Sequence, residues 1–170
     1  MDLLDRLLEH DRWATEQLLD LSRGLTDAEL DQPFDIGHRT LRATFEHVIF
    51  NVAFWTALMT EQPVDAQRDD RSLAALIDRH ERSFVAFAIL SRQFRDEQRL
   101  EDTYVDHYAA RKTFGGTILQ VILHNAEHRT EALHILERLG VSDLPEIDHG
   151  LWDYETLATS ESGQSRPEEG

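Results

Sequence analysis

The segment Ile118-Leu-Gln-Val-Ile-Leu-His-Asn-Ala-Glu-His-Arg129 combines apolar residues at helical spacing with two histidines, His124 and His128, four positions apart. Residues at positions i and i+4 of a helix project from the same face, about 6 Å from each other. Two imidazoles placed in this way can bind one divalent cation from the same side. The segment therefore predicts a long helix that carries metal ligands.

Three other segments have the same periodicity, and together the four predicted helices span residues 3–23, 40–60, 72–97 and 117–139. Thr103-Tyr-Val fits a short strand. Gly115-Gly116 lacks the Lys-Ser/Thr pair of a phosphate-binding loop and is expected to introduce the fourth helix. Four amphipathic helices of about 20 residues predict an all-α protein, a four-helix bundle, over residues 1–156. Residues 157–170, which are acidic and rich in Ser, Glu and Gly, are predicted to be a disordered tail.

Composition excludes several classes of function. The chain has 170 residues, with 33 Asp and Glu against 17 Lys and Arg, for a net charge of −16. This balance argues against binding to nucleic acid, which requires clustered cations, and disfavours an anionic membrane surface. No apolar stretch approaches the ~20 residues that cross a bilayer, and the first residues do not resemble a secretory signal.

The sequence contains no cysteine. Disulfides, thiolate zinc sites and a protein thiol nucleophile are therefore excluded, and a reducing, cytoplasmic location is expected.

A third histidine, His47, lies on the second predicted helix, which is apolar almost all round. Four polar residues of this helix, Thr40, Thr44, His47 and Asn51, fall in one narrow stripe. Buried polar groups need partners, so the stripe forms either a hydrogen-bonded network or the lining of a cavity that holds a metal and water. Three imidazoles from two helices would leave one coordination position open, as in reactive metal sites.

Two charged residues fall within apolar stripes. Arg129 lies in the middle of the apolar arc of the fourth helix, and Asp11 lies within the leucine stripe of the first. Because an unpaired buried charge is very costly, we expect Arg129 to pair with a carboxylate, with Asp11 as one candidate. The alternative is that Arg129 extends to solvent.

His124-Asn-Ala-Glu-His128 also fits the H-x-x-E-H pattern of inverzincin proteases. This interpretation is disfavoured because Glu127 would lie roughly 60° to 100° around the helix from the histidines. Among the other histidines, His80 is expected in the core or an interface, and His107 near the site. His38, His134 and His149 are expected on the surface.

Three short motifs give the chain a resemblance to the DinB/YfiT-like superfamily of metal-binding four-helix proteins. They are His10-Asp-Arg-Trp-Ala-Thr-Glu-Gln-Leu-Leu19, His47 with Trp55 eight residues later, and Leu123-His-Asn-Ala-Glu-His-Arg129. The resemblance implies that His47, His124 and His128 bind zinc or nickel, and that the protein forms homodimers. It also implies kinship with metal-dependent transferases and isomerases that use low-molecular-weight thiols. Many relatives continue with Gly-Gln, where this chain has Thr130-Glu131.

The sequence thus predicts a metal-dependent enzyme acting on a small molecule, of the thiol S-transferase or hydrolase type. Any thiol would come from solution as a co-substrate. Glu127, Glu131 and His107 are candidates for a general base, and Asn51, Thr44, Arg129 and Asp11 for residues around the metal. Two alternatives are a non-catalytic metal- or small-ligand-binding protein of the stress response and a purely structural site. The apolar second helix indicates either a homodimer contact or a central position within one chain.

Overall fold

A computed structural model describes residues 1–64 and 69–163 of the chain. Its four long helices are α1 (Leu3–Leu21), α3 (Leu41–Met59), α4 (Leu73–Asp96) and α5 (Phe114–Arg138). The shorter elements are a 3-10 turn (Ser22–Gly24), α2 (Asp27–Leu30), β1 (Thr103–Val105), β2 (Arg111–Thr113) and α6 (His149–Gly163). The all-α four-helix bundle is confirmed, and the predicted strand β1 pairs antiparallel with β2.

Each long helix begins after a side chain that accepts a hydrogen bond from the backbone N–H three residues later. Asp2, Thr40, Ser72 and Thr113 have this N-cap role, to which short polar side chains are suited. The cap at Thr113 starts α5 three residues before the predicted position, so Gly115 and Gly116 lie inside its first turn. A Cβ at Gly115 would lie 3.1 Å from the carbonyl oxygen of Leu100, and this close approach favours glycine.

Two apolar clusters divide the bundle along its length. One contains Leu8, Val52, Trp55, Phe84, Phe87, Phe114, Ile118 and Val121 among others, and the second contains Leu18, Leu41, Phe45, Leu76, Ile135 and Leu136 among others. The order of these residues shows that α1 and α5 run from the first cluster to the second, whereas α3 and α4 run in the opposite direction. Helix α3 packs against both α4 and α5, so the apolar second helix of the sequence is central in the chain.

The C-terminal helix α6 extends into the segment that was predicted to be disordered from residue 157, and continues to Gly163. Residues 164–170 of that predicted tail lie outside the described residues. The indole of Trp152 is buried against the ring of His10, and Asp153 forms an ion pair with Arg6 of α1. These contacts explain why this acidic segment becomes helical next to the bundle. None of the described helices combines the length and apolar character needed to span a bilayer.

His80 lies in the core of the bundle, as the sequence predicts, with 2% of its surface exposed. Burial lowers the pKa of His80 to about 4, and the charges of Arg12 and Arg129 act in the same direction. An unfolded histidine titrates near pH 6.5, so between pH 6.5 and 4 the unfolded state binds a proton that the folded state does not. Stability therefore falls as the pH is lowered through this window.

We expect His80→Leu to remove this pH dependence. Between pH 6.5 and 4, the free energy of unfolding of the wild type should fall by up to about 3 kcal/mol more than that of the variant. Urea titrations at several pH values with a chelator present would measure the difference, and His134→Leu, at an exposed histidine, is the control. Parallel pH profiles for the wild type and His80→Leu would contradict the assignment.

Candidate metal centre

Three imidazoles meet where α3 packs against α5. His47 lies in the middle of α3, and His124 and His128 lie one turn apart on α5. The Nε2 atom of His124 is 2.8 Å from Nε2 of His47 and 3.2 Å from Nε2 of His128. The structure therefore brings the imidazoles of His47 and His128 to the imidazole of His124, so the three histidines that the sequence selected lie together.

A fourth imidazole, that of His38, lies beside this group. Its ring stacks on the ring of His47 with the centroids 3.9 Å apart, and is 4.9 Å from the ring of His128. One ring nitrogen from each of His38, His47 and His128 lies within 4.8 Å of the others, so these three also form a group that could hold a metal ion. We call His38, His47, His124 and His128 the histidine cluster.

His38 was predicted to lie on the surface, but its ring packs against the rings of His47 and His128. His38 precedes α3 in a turn whose path depends on positive φ angles at Gly37 (43°) and Arg39 (73°). Helical periodicity contains no information on such a turn. The glycine was visible in the sequence, but nothing there indicated the direction in which the turn folds.

Partial burial favours the neutral imidazole at three members of the cluster, His38, His47 and His124. Burial lowers the pKa of His47 to about 4, and neighbouring His38, His128 and His124 lower it further. The pKa values of His124 and His38 are also lowered, again mainly by burial. Because metals bind the neutral ring, a site with these pKa values is prepared for a cation at neutral pH.

The donor atoms also suit a divalent cation. Nitrogen ligands about 2.1 Å from zinc in a tetrahedral arrangement are about 3.4 Å from each other. Nε2 of His124 is 2.8 Å and 3.2 Å from Nε2 of His47 and His128. Imidazole donors suit zinc, nickel and copper, whereas magnesium and calcium prefer oxygen. The histidines present could therefore hold a divalent metal ion that prefers nitrogen donors.

Glu131 holds the ring of His128 from its other side. A carboxylate oxygen of Glu131 is 2.7 Å from Nδ1 of His128, one turn along α5. A hydrogen bond from Nδ1–H to a carboxylate fixes the tautomer that leaves Nε2 free to bind a metal, and it raises the basicity of that nitrogen. This contact gives Glu131, which the sequence offered as a general base, a positioning role.

We expect Glu131→Gln to weaken zinc binding by about 10- to 100-fold, because the amide is a weaker acceptor for the Nδ1 proton. Competition with a chromophoric chelator would measure the zinc affinity. Glu137→Gln, which changes an exposed carboxylate further along α5, is the matched control. Equal affinities for the two variants would show that the contact with Glu131 does not support the site.

A buried polar network lies next to the histidine cluster and connects three helices. The amide of Asn51 on α3 donates to Asn125 on α5 at 3.2 Å, and Asn125 donates to Asp11 on α1 at 3.1 Å. Arg129 completes the network through an ion pair with Asp11, the partner suggested by the sequence, and also donates to Thr15 at 3.3 Å. Burial raises the pKa of Asp11, and the guanidinium of Arg129 opposes that rise.

Asn125 was not among the predicted site residues, although its position in the sequence indicated that it lies on the buried face of α5. It follows His124 and lies four residues after Val121 and seven before Ala132, so helical spacing places it in the apolar arc of α5. Thr44, in contrast, is buried but donates to the carbonyl of Thr40 in its own helix, at 2.9 Å. The structure gives Thr44 no contact with the histidine cluster among the hydrogen bonds of the described residues.

The other two candidates for a general base lie differently. Glu127 is exposed on α5, close enough for its charge to act on His124. His107 is exposed in the turn between β1 and β2, where its ring packs against Phe54, Trp55 and Tyr108. These ring contacts place His107 beside the C-terminal half of α3, away from the histidine cluster.

Two cavities formed by the described residues lie away from the histidine cluster. The larger, of 390 Å³, is a groove between α3 and α4, with Phe50, Ala53 and Arg79 among its lining residues. The smaller, of 160 Å³, lies near His80. No histidine of the cluster lines either cavity.

The fold and the histidine cluster define a helical-bundle protein with a group of histidines that could bind a metal ion. The family model described as DinB family matches residues 1–159, and the chain belongs to this family. The resemblance found in the three sequence motifs is thereby confirmed. No curated protein matches the chain significantly.

Proposed function

We propose that the protein binds one zinc or nickel ion through His47, His124 and His128 and uses it as a metal-dependent enzyme acting on a small molecule. The observation that carries this proposal is that Nε2 of His124 lies 2.8 Å from Nε2 of His47 and 3.2 Å from Nε2 of His128. Three neutral imidazoles leave part of the coordination sphere of the metal for water or substrate, which is the arrangement of reactive metal sites.

The reaction we propose is thiol transfer or hydrolysis. A bound metal would lower the pKa of a water ligand to about 7 or bind a thiolate as the nucleophile. The chain has no cysteine, so thiol transfer would require a low-molecular-weight thiol from solution. The residues of the chain would hold the metal, orient His128 through Glu131, and fix α3, α5 and α1 to each other through the buried polar network.

Turnover tests this proposal. Protein loaded with zinc or nickel would be incubated with low-molecular-weight thiols and electrophilic acceptors, and separately with esters and amides. We expect metal-dependent turnover of at least one substrate class, which His47→Ala should abolish while leaving the helical content unchanged. Retention of the metal without turnover in either panel would contradict the enzymatic proposal.

That outcome would favour the second candidate, a non-catalytic metal- or small-ligand-binding protein of the stress response that uses the same site. Two observations support this candidate. Glu131 is already engaged by His128, and the two cavities described above do not adjoin the histidine cluster.

We further propose that the protein forms a homodimer. The support is a set of exposed apolar side chains on α5 and on the strand pair, with Leu119 at 47%, Leu123 at 54%, Val105 at 64% and Tyr108 at 80% exposure. A partner subunit would remove such surface from water. Light scattering at micromolar concentration should give twice the mass of the chain, and a monomer mass would contradict the proposal. A cytoplasmic location also remains a prediction, which rests on the absence of cysteine.

A further inference from the structure

His38 is the one member of the histidine cluster that lies outside the long helices. Its turn is closely held, since the backbone N–H of Arg39 donates to the carbonyl of Ile36 at 2.7 Å and that of Phe34 donates to the carbonyl of Arg39 at 2.6 Å. Arg39 has a φ of 73°, which side chains other than glycine rarely adopt. Such backbone persists only where the surroundings enforce it.

The turn is also fitted to α5. A Cβ added to Gly37, whose φ is 43°, would lie 2.0 Å from the carboxylate oxygen of Glu131 that contacts His128. The absence of a side chain at Gly37 thus allows the turn to lie against the residue that orients His128. The same contact brings the imidazole of His38 over the rings of His47 and His128.

We propose that His38 is a displaceable fourth ligand, which occupies the coordination position that His47, His124 and His128 leave open and gives it up to an incoming ligand. This inference rests on the proposed metal site. The exchange breaks the bond between the metal and the His38 nitrogen and forms one to the incoming donor, and His38 leaves as a neutral ring. The position of the turn that carries His38 would then determine whether the fourth coordination position is open.

The ring geometry supports a ligand that exchanges rather than a permanent one. The rings of His47 and His124 have centroids 5.1 Å apart and an interplanar angle of 63°, which is the divergence expected of two imidazoles on one ion. The rings of His38 and His47 are closer, at 3.9 Å, and lie nearly flat on each other, at 28°. A ring nitrogen of His38 lies within 4.8 Å of ring nitrogens of His47 and His128, so a change in the side-chain rotamer of His38 would move this nitrogen toward or away from a bound metal.

Cobalt can test this, because its visible absorption reports the number and type of its ligands. We would compare the wild type with His38→Ala, using His134→Ala at an exposed histidine as the control. In His38→Ala we expect Co²⁺ to bind about tenfold more weakly. We also expect added imidazole to bind the cobalt about tenfold more tightly, since no protein ligand competes for the position. Added imidazole should return the spectrum to that of the wild type.

If His38→Ala and His134→Ala have the same cobalt affinity, spectrum and imidazole affinity as the wild type, the inference about His38 is wrong. Loss of cobalt binding in His47→Ala in the same experiment would show that the proposed metal site nevertheless stands. Unchanged cobalt binding in both His38→Ala and His47→Ala would overturn the metal site and the role of His38 together.

Discussion

Arg129→Met should lower the free energy of unfolding by about 3–5 kcal/mol, because it removes the cation that pairs with the buried carboxylate of Asp11. Asp11 and Arg129 are 1% and 3% exposed, so neither charge can recover hydration without movement of the bundle. Urea unfolding of metal-free protein at neutral pH would measure the change. Arg138→Met, at an exposed position of α5, is the matched control and should have little effect.

The pH dependence of the stability provides a second test of the same ion pair. Loss of Arg129 removes the main group that opposes the effect of burial, so the pKa of Asp11, which is already raised in the folded wild type, rises further in the folded variant. The folded variant then binds a proton that the unfolded chain does not, so its deficit in stability should be smaller at pH 5 than at pH 8. The double variant Asp11→Leu with Arg129→Met should recover most of the loss, as apolar replacements of buried ion pairs often do.

A loss below about 1 kcal/mol in Arg129→Met, equal to that in Arg138→Met, would contradict the structural role of the ion pair. An unchanged metal affinity in Arg129→Met would show that metal binding does not depend on the buried polar network. It would show that α1, α3 and α5 remain in place without the guanidinium.

Apolar periodicity was sufficient to predict the four long helices. Their boundaries are close to those predicted, since the caps Thr40 and Ser72 are visible as short polar residues before apolar runs. The predicted start of α5 is three residues late because a pair of glycines usually marks a helix boundary. In the structure, Gly115 instead allows a close contact with Leu100. Helix α6 was missed because it is acidic and becomes helical against α1, through contacts that its own sequence does not contain.

The site could be predicted as far as it lies on regular helices. His47, His124 and His128 have a fixed direction on α3 and α5, so their meeting follows once these helices pack together. His38 could not be placed in the same way, because its position depends on the positive φ angles of a turn. The cost of burying a charge was sufficient to predict the ion pair between Asp11 and Arg129. Asn125, which joins the pair to α3, was not predicted.

The second large effect concerns the metal itself. Replacement of His47, His124 or His128 by alanine removes one of three nitrogen donors, and we expect each change to weaken zinc binding by about a hundredfold or more. The fold should be retained in each case, since the two apolar clusters do not include these residues. His134→Ala should bind zinc like the wild type, because His134 is exposed and lies away from the histidine cluster.

Equilibrium dialysis of the metal-free protein against zinc, and separately against nickel, tests the metal site most directly. We predict that the wild type takes up one equivalent of metal per chain and that the variant with His47, His124 and His128 all replaced by alanine takes up none at the same free metal concentration. Failure of the wild type to retain either metal, or equal uptake by the triple variant, would contradict the account.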